Sequence, residues 1–532
     1  MKRLFTGALV LAAAAVFGDA DWTRLNADAR EQAKSVIRAG EPGVRPFWNG
    51  HSKAFIHPPA FEFKDIPGAA SYRFTLEPED KALKPSVWID SKPWKPVDAS
   101  IWDSLVPGYY TIRVEALDAA GASIGLAGTR RFWRAAVFHG PYPQAHRTFR
   151  EAARRVYAAI YALPYVQAWL ESNEPPVGYD LYCYPAKILS AMIIALCRHA
   201  SLSGDADEKS HSLAIACRMA DWLIAQSQPA EAPLAHFPPT YWGDRRSVSV
   251  KNAGLNMLCY PAHAAIAYFS IADALVRTGA ADRATTYRRK ALAIVSTYVR
   301  LQEKDGTWPL KVRESDGKPT RANRLVPYRY IFGMFDSAIA AGGDGGTLTV
   351  ARLKAARAAA FAFLERGPLV TWNWDGQFED MDPMPPYVNL QKGSAIDTAI
   401  QLFALGRKSE AQEVVDWCED QFTVWSDPLH HMDWRNWRTP TALEQYDYYT
   451  PIDASMADMI RGFTVAFTAT GDPLYRAKAL ALANCLVRHQ RANGTIPTYF
   501  DSRRGSDWAN CMIYAASALE FAADRLEKKK EE

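Results

Sequence analysis

The sequence lacks an excess of charge of either sign. Its 62 basic and 58 acidic residues leave a net +4 over 532 positions, with no long basic run. Polyanion binding through bulk charge is therefore not expected, and nucleic acid is a poor candidate partner. Cysteine is scarce and unpatterned: none of the seven falls in a CxxC pair. Cys197, Cys217, Cys259, Cys485 and Cys511 sit among apolar neighbours at helical spacing, which predicts buried thiols, with one disulfide the most that an oxidising compartment would add. No HExxH or comparable His/acid spacing occurs, so a catalytic zinc is not expected, and nothing in the sequence calls for a cofactor. The glycines of 342–346 are not followed by GK[ST] and read as a helix stop, not a phosphate loop. After the N-terminus no stretch reads as long enough to cross a bilayer.

At the N-terminus, Met1-Lys2-Arg3 precede an apolar run over 4–17 and the small residues Gly18-Asp19-Ala20. A charged segment, an apolar segment and a cleavage site predict a signal peptide over 1–20 and a secreted or periplasmic protein. Residues 21–42 read as a helical linker. Over 43–138 the apolar period is two: Phe61-Glu62-Phe63, Tyr72 to Leu76, Val87-Trp88-Ile89 and Tyr110 to Val114, parted by turns at Pro67-Gly68, Pro107-Gly108 and Ala120-Gly121. Short alternating strands between such turns predict a small β-sandwich. The runs AFEFKDIPGAASYRFTLE and VPGYYTIRVEALDAAG resemble a fibronectin-III or immunoglobulin-like module.

Over 139–532 the period is helical throughout. Twelve runs are expected, near 143–171, 182–203, 207–228, 254–279, 281–304, 324–342, 348–366, 392–406, 408–424, 452–470, 473–491 and 508–528. In the tenth, Met456, Met459, Ile460, Phe463 and Phe467 form one face, with Thr450-Pro451 before it and Gly471 after it. Short links with helix-stop residues alternate with long ones at 229–253, 305–323, 367–391, 425–451 and 492–507. Long links are uncommon in compact domains unless they carry function. A repeat supports paired helices: Gln302 to Pro309 (QEKDGTWP) matches Gln490 to Pro497 (QRANGTIP). Six hairpins closed into an (α/α)6 toroid would set all five long links on one rim; an open α-solenoid is the alternative and would lack a central cavity.

The long links carry the aromatic rings, carboxylates and arginines that a cleft for an acidic carbohydrate needs, rings for the sugar faces and guanidiniums for a uronate. The stretch 371–397, TWNWDGQFEDMDPMPPYVNLQKGSAID, is the richest. Glycoside hydrolysis takes two carboxyl groups, one held protonated. Glu379 and Asp380 are the first candidates, because neighbouring rings can desolvate one of them. Asp375, Glu444 and Asp447 compete for the second role, and His431, beside His430, is a candidate base. Substrate contacts are expected from Trp242, Arg245, Trp308, Arg324, Trp372, Trp374, Tyr387, Arg435, Tyr446, Tyr448 and Trp508. Asp453 and Asp397 follow Thr450 and Ser394 by three residues, the spacing of a capping box, and read as structural. His263 reads as a core or rim residue.

The run NWDGQFEDM with YVNLQKGSAID, then EQYDYYTPIDASMADMI, and GTIPTYF with SDWANCMIYAASALE, resemble exported (α/α)6 carbohydrate-active enzymes, above all β-glucuronidase-type glycoside hydrolases and, more distantly, heparinase-like polysaccharide lyases. The resemblance covers most of 140–530 and implies a hydrolase acting on a uronic-acid-containing glycan. A lyase using Tyr446, Tyr448 or His431 as base and a non-catalytic glycan-binding protein are the alternatives.

Overall fold

The computed structural model describes residues 21–37, 52–320, 324–325, 329–372, 374, 392–426, 436–445, 448–501 and 507–527, with backbone alone at 324–325, 445 and 448–449. Each of the twelve helical runs contains a helix. Those of even number form an inner set: α4 (Pro185–Leu202), α6 (Cys259–Arg277), α8 (Arg329–Ala340), α10 (Lys392–Ala404), α12 (Asp453–Thr470) and α14 (Ala509–Leu526). Those of odd number lie outside them: α3 (Phe149–Tyr161), α5 (Ala206–Ala225), α7 (Ala281–Leu301), α9 (Val350–Arg366), α11 (Lys408–Phe422) and α13 (Pro473–Arg488). Two short helices, α1 (Trp22–Gln32) and α2 (Ala99–Ser104), precede them.

Contacts fix the order. Inner helices pack α4 to α6, α6 to α8, α10 to α12, α12 to α14 and α14 back to α4. The step from α8 to α10 is made at their N-termini, where Asp397 accepts from the Arg329 amide at 2.7 Å, and outside by Arg357 donating to Gln401 at 2.8 Å. Each outer helix backs the inner helix that precedes it, except that α3 packs on α14. The ring therefore closes by joining the first and last of its helices, helped by Tyr157 donating to Glu520 at 2.9 Å and by an Arg150–Asp524 ion pair. Inner helices such as α4 and α6 are buried on nearly every face, which is why they are apolar all round.

The internal repeat is a docking device. Gln302 donates to the carbonyls of Gly306 and of Ala356 on α9, both at 2.9 Å; Gln490 does the same to Gly494 at 2.8 Å and to Ala152 on α3 at 2.9 Å. Gly306 and Gly494 have φ of +97° and +90°, and a Cβ on either would lie 2.1 Å from the Ala359 carbonyl oxygen or 2.5 Å from that of Arg155. Only glycine permits both the left-handed turn and the backbone contact. The motif thus pins the end of one outer helix to the next outer helix, and its second copy seals the ring.

Residues 54–134 form one five-stranded sheet, ordered β1 (Ala54–Phe55), β5 (Ser123–Arg134), β4 (Gly108–Leu117), β2 (Ser71–Pro78), β3 (Ser86–Asp90). The second sheet of the expected sandwich is not found among the described residues. The apolar face, with Tyr72, Phe74, Leu76, Ile112, Val114 and Phe132, is covered instead by Phe55, Phe61 and Trp102 of α2. A tryptophan-bearing helix buries that face, and Trp102 Nε1 finds the Ile56 carbonyl at 2.8 Å. The sheet joins the ring at α11, where Asp420 accepts from the amides of Ile56 and His57 at 2.6 and 2.8 Å. All seven cysteines are buried and none is paired in a disulfide.

Candidate active site at the mouth of the ring

The chemistry of the mouth begins with how its helices start. Outer helices α3, α5, α9 and α13 have side-chain caps from Thr148, Asp205, Thr349 and Asp472. Inner helices α4, α6, α12 and α14 have none at the N-cap position. Their positive ends are turned to a common cavity, an arrangement that favours anions. That cavity, of about 150 Å³, is lined from the first two turns of all six inner helices: Lys187 on α4, Tyr260 on α6, Arg329 and Tyr330 on α8, Lys392 and Asp397 on α10, Asp458 on α12, Asn510 and Tyr514 on α14, with Glu444 from the strand Thr441–Gln445.

Three cations thus face three carboxylates. Arg329 ion-pairs with Asp458 and lies 3.6 Å from Asp397, which also accepts from Arg461 at 3.1 Å. Burial works against the Arg329 charge, yet Asp458 and Asp397 together hold its pKa above the ordinary value. Lys392 is 2% exposed and donates to the Glu444 carbonyl at 2.8 Å; burial pulls its pKa down to about 8. Lys187 sits 4.4 Å from the centre of the Trp508 ring, which stacks on Tyr184. With Arg461 behind Asp397, cations outnumber carboxylates by one, and the helix dipoles add to the positive side. Ser394 Oγ and Asn510 Oδ1, both on lining residues, are buried without a hydrogen-bond partner and supply polar atoms for a ligand. His263 is buried against Tyr330, ring centres 4.2 Å apart, and burial holds it neutral with a pKa near 3.

The sequence candidates separate on this frame. Glu444 lines the cavity and Trp508 stands at its edge beside Lys187. Trp308, Trp372 and Trp374 are core residues, at most 1% exposed; Trp308 donates to the Tyr298 carbonyl, and the other two pack edge-on about Trp417 or beside it. Trp242 packs on Trp222, and Arg245 is committed to the carbonyls of Pro175, Pro176 and Tyr179. Arg324 and Tyr448 lie on short strands. Glu379, Asp380, Asp375, His431, Tyr387, Arg435 and Tyr446 lie outside the described residues, as do His430, Asp447 and residues 1–20. The two capping assignments are corrected. Helix α10 begins before Ser394, and Asp397 is held by Arg329 and Arg461. Asp453 is the first residue of α12, bonded to the Ala454 amide, and Thr450 does not cap that helix. Lys187, Tyr260, Arg329, Lys392 and Asp458 were missed; the available signal was charge placed near the start of otherwise apolar helices.

No family model and no curated protein sequence matches the chain. Solved structures resemble it in shape. A D-mannose isomerase shares 14% identity, with a TM-score of 0.48 over 71% of this chain and 97% of that one. A cellobiose 2-epimerase from Spirochaeta thermophila DSM 6192 gives 11% and 0.46, over 71% and 98%. An unsaturated glucuronyl hydrolase specific for heparin gives 10% and 0.40, over 71% and 99%. The functional reading rests on the mouth of this ring alone.

Proposed function

We propose that the chain is an exported carbohydrate-active enzyme, a glycoside hydrolase that takes a uronic-acid-containing glycan at the mouth of the ring. The observation that carries this reading is the single cavity where six helix N-termini bring Lys187, Lys392 and Arg329 together with Glu444. In this reading Lys187 and Lys392 bind the uronate carboxylate. Tyr260 and Trp508 offer ring faces to the sugar, and Glu444 is the proton donor on the scissile oxygen. The second carboxyl group comes from Glu379 or Asp380, which stand in the sequence between α9 and α10 and lie outside the described residues. A lyase needs a base; burial pushes the Tyr514 phenol up and so keeps it protonated, and Tyr446 and His431, named as bases for a lyase, lie outside the described residues. Incubation with a panel of uronic-acid glycans and analysis of products tests the proposal. Saturated products with a new reducing end support a hydrolase; ultraviolet-absorbing unsaturated products would replace it with a lyase, and no product from any glycan would overturn it.

A further inference from the structure

On the outside of the ring, among residues separate from those that line the mouth, the link after α5 folds back against α7, where Thr297 and Arg300 donate to the carbonyls of Ala235 and Pro233, both at 2.8 Å. It closes through a pair of backbone bonds, His236 to the Gln228 carbonyl at 2.9 Å and Gln228 to the Phe237 carbonyl at 3.0 Å. His236 takes a left-handed φ of +66°, one of two non-glycine residues among those described to do so. Such backbone costs on the order of 1–3 kcal/mol and persists where surroundings enforce it, commonly at binding sites. Two cavities, of about 570 and 290 Å³, meet at Ala230 and His236. The larger falls in the size range of small-molecule sites.

The lining is strongly basic. Arg288, Arg289 and Arg300 line the larger cavity and Lys290 the smaller, against Asp344 as the only carboxylate lining either among the described residues. Asp344 is already committed to the amides of Gly346 and Leu348. Asp273 reaches Arg288 at 3.6 Å and the charge of Asp221 acts on the Tyr268 phenol, so the charge left facing an anion is chiefly that of Arg289, Lys290 and Arg300. His236 registers that charge: burial lowers its pKa first, and Lys290 and Arg300 lower it further, against Glu231. The floor of the smaller cavity holds a second, independent sign. Tyr268 is 1% exposed, lines that cavity, and its phenolic oxygen has no hydrogen-bond partner. A buried hydroxyl without a partner costs about 1–3 kcal/mol, so a ligand that reaches it recovers that penalty.

We infer that this groove is a second binding site, for oxyanion groups of the carboxylate, sulfate or phosphate type, with Arg288, Arg289, Lys290 and Arg300 holding the charge and Tyr268 bonding the anion at the floor. A free anion and one borne on an acidic glycan present the same chemistry to the groove. Titration calorimetry on the full chain tests it with three probes: inorganic sulfate, inorganic phosphate and a tetramer of galacturonic acid. At least one probe is expected to bind saturably at the groove, in addition to any uronate taken up at the mouth. Arg289→Ala with Lys290→Ala should weaken it at least tenfold. Tyr268→Phe should weaken it about threefold without lowering the melting temperature, since the hydroxyl has no partner to lose. Tighter binding of the tetramer than of either inorganic ion by tenfold or more assigns the site to glycan, and equal or weaker binding assigns it to free anion. Absence of saturable binding for all three probes, or equal binding by the double variant, overturns the inference.

Discussion

Arg329→Met removes the cation that bridges two buried acids at the mouth of the ring. Asp397 keeps Arg461 at 3.1 Å, whereas Asp458, 9% exposed, loses its ion-pair partner. Breaking one side of a buried pair costs about 3–5 kcal/mol. The retained Arg461 contact and the 24% exposure of the Arg329 side chain place this case near the lower end, about 3 kcal/mol. That corresponds to a fall of roughly 3 °C in melting temperature for a chain of 532 residues. Replacing both partners, Arg329→Met with Asp458→Asn, leaves no unpaired charge and should restore most of the loss. Denaturant titration of the wild type, both single variants and the double variant gives the coupling. If the double variant loses the sum of the two single losses, the two groups are uncoupled and the bridging role is refuted.

Gly494→Ala meets both a +90° φ and the Arg155 carbonyl, while Gly471→Ala at +77° meets nothing within 4 Å. The first should cost at least about 1 kcal/mol more than the second, whose loss is the ~1 kcal/mol of left-handed alanine alone; equal losses would deny the ring-closing contact. Lys392, held near 8, is charged below that pH and neutral above it. Affinity of the mouth for a uronate should therefore fall between pH 7 and 9, and Lys392→Met should flatten the profile; a wild-type profile already flat would contradict this. Burial raises Asp416, which accepts from Tyr475 and Gln32, to about 7. The folded state then retains a proton that the unfolded chain sheds above pH 4, so this group's contribution declines as pH rises to 7. His57 and His263, lowered to about 3, act in the opposite sense. The clean readout is the difference: Asp416→Asn should gain melting temperature relative to the wild type from pH 5 to 7, and a constant difference would refute the assignment.

The helical part of the fold was legible because its signals are local. Apolar period, Gly stops and the alternation of short and long links all act within one hairpin, and the QxxxGTxP repeat marks a contact that its glycine alone permits. The sheet was legible strand by strand but not in its layering. Period two reports one buried face and says nothing of whether a sheet or a tryptophan-bearing helix covers it. The site was legible by region only. Loops drew attention to tryptophans, yet Trp308, Trp372 and Trp374 are large apolar side chains that the core takes up. The floor of the mouth is made of the first two turns of helices, and Lys187 and Asp458 are single charged residues between apolar neighbours, while Lys392 stands in the polar run QKGS. Their convergence depends on ring closure, which no local pattern encodes. Asp397 was read from its spacing to Ser394, whereas its partners, Arg329 and Arg461, lie 68 and 64 residues away.

The most direct measurement is the rate at which a glucuronic-acid-bearing oligosaccharide is cleaved by the wild type and by Glu444→Gln, with melting temperatures taken on the same samples. A fall in rate of at least a hundredfold at unchanged melting temperature is the predicted result, the size expected for loss of a general acid. Equal rates in the two proteins would contradict the placement of the chemistry at the mouth of the ring.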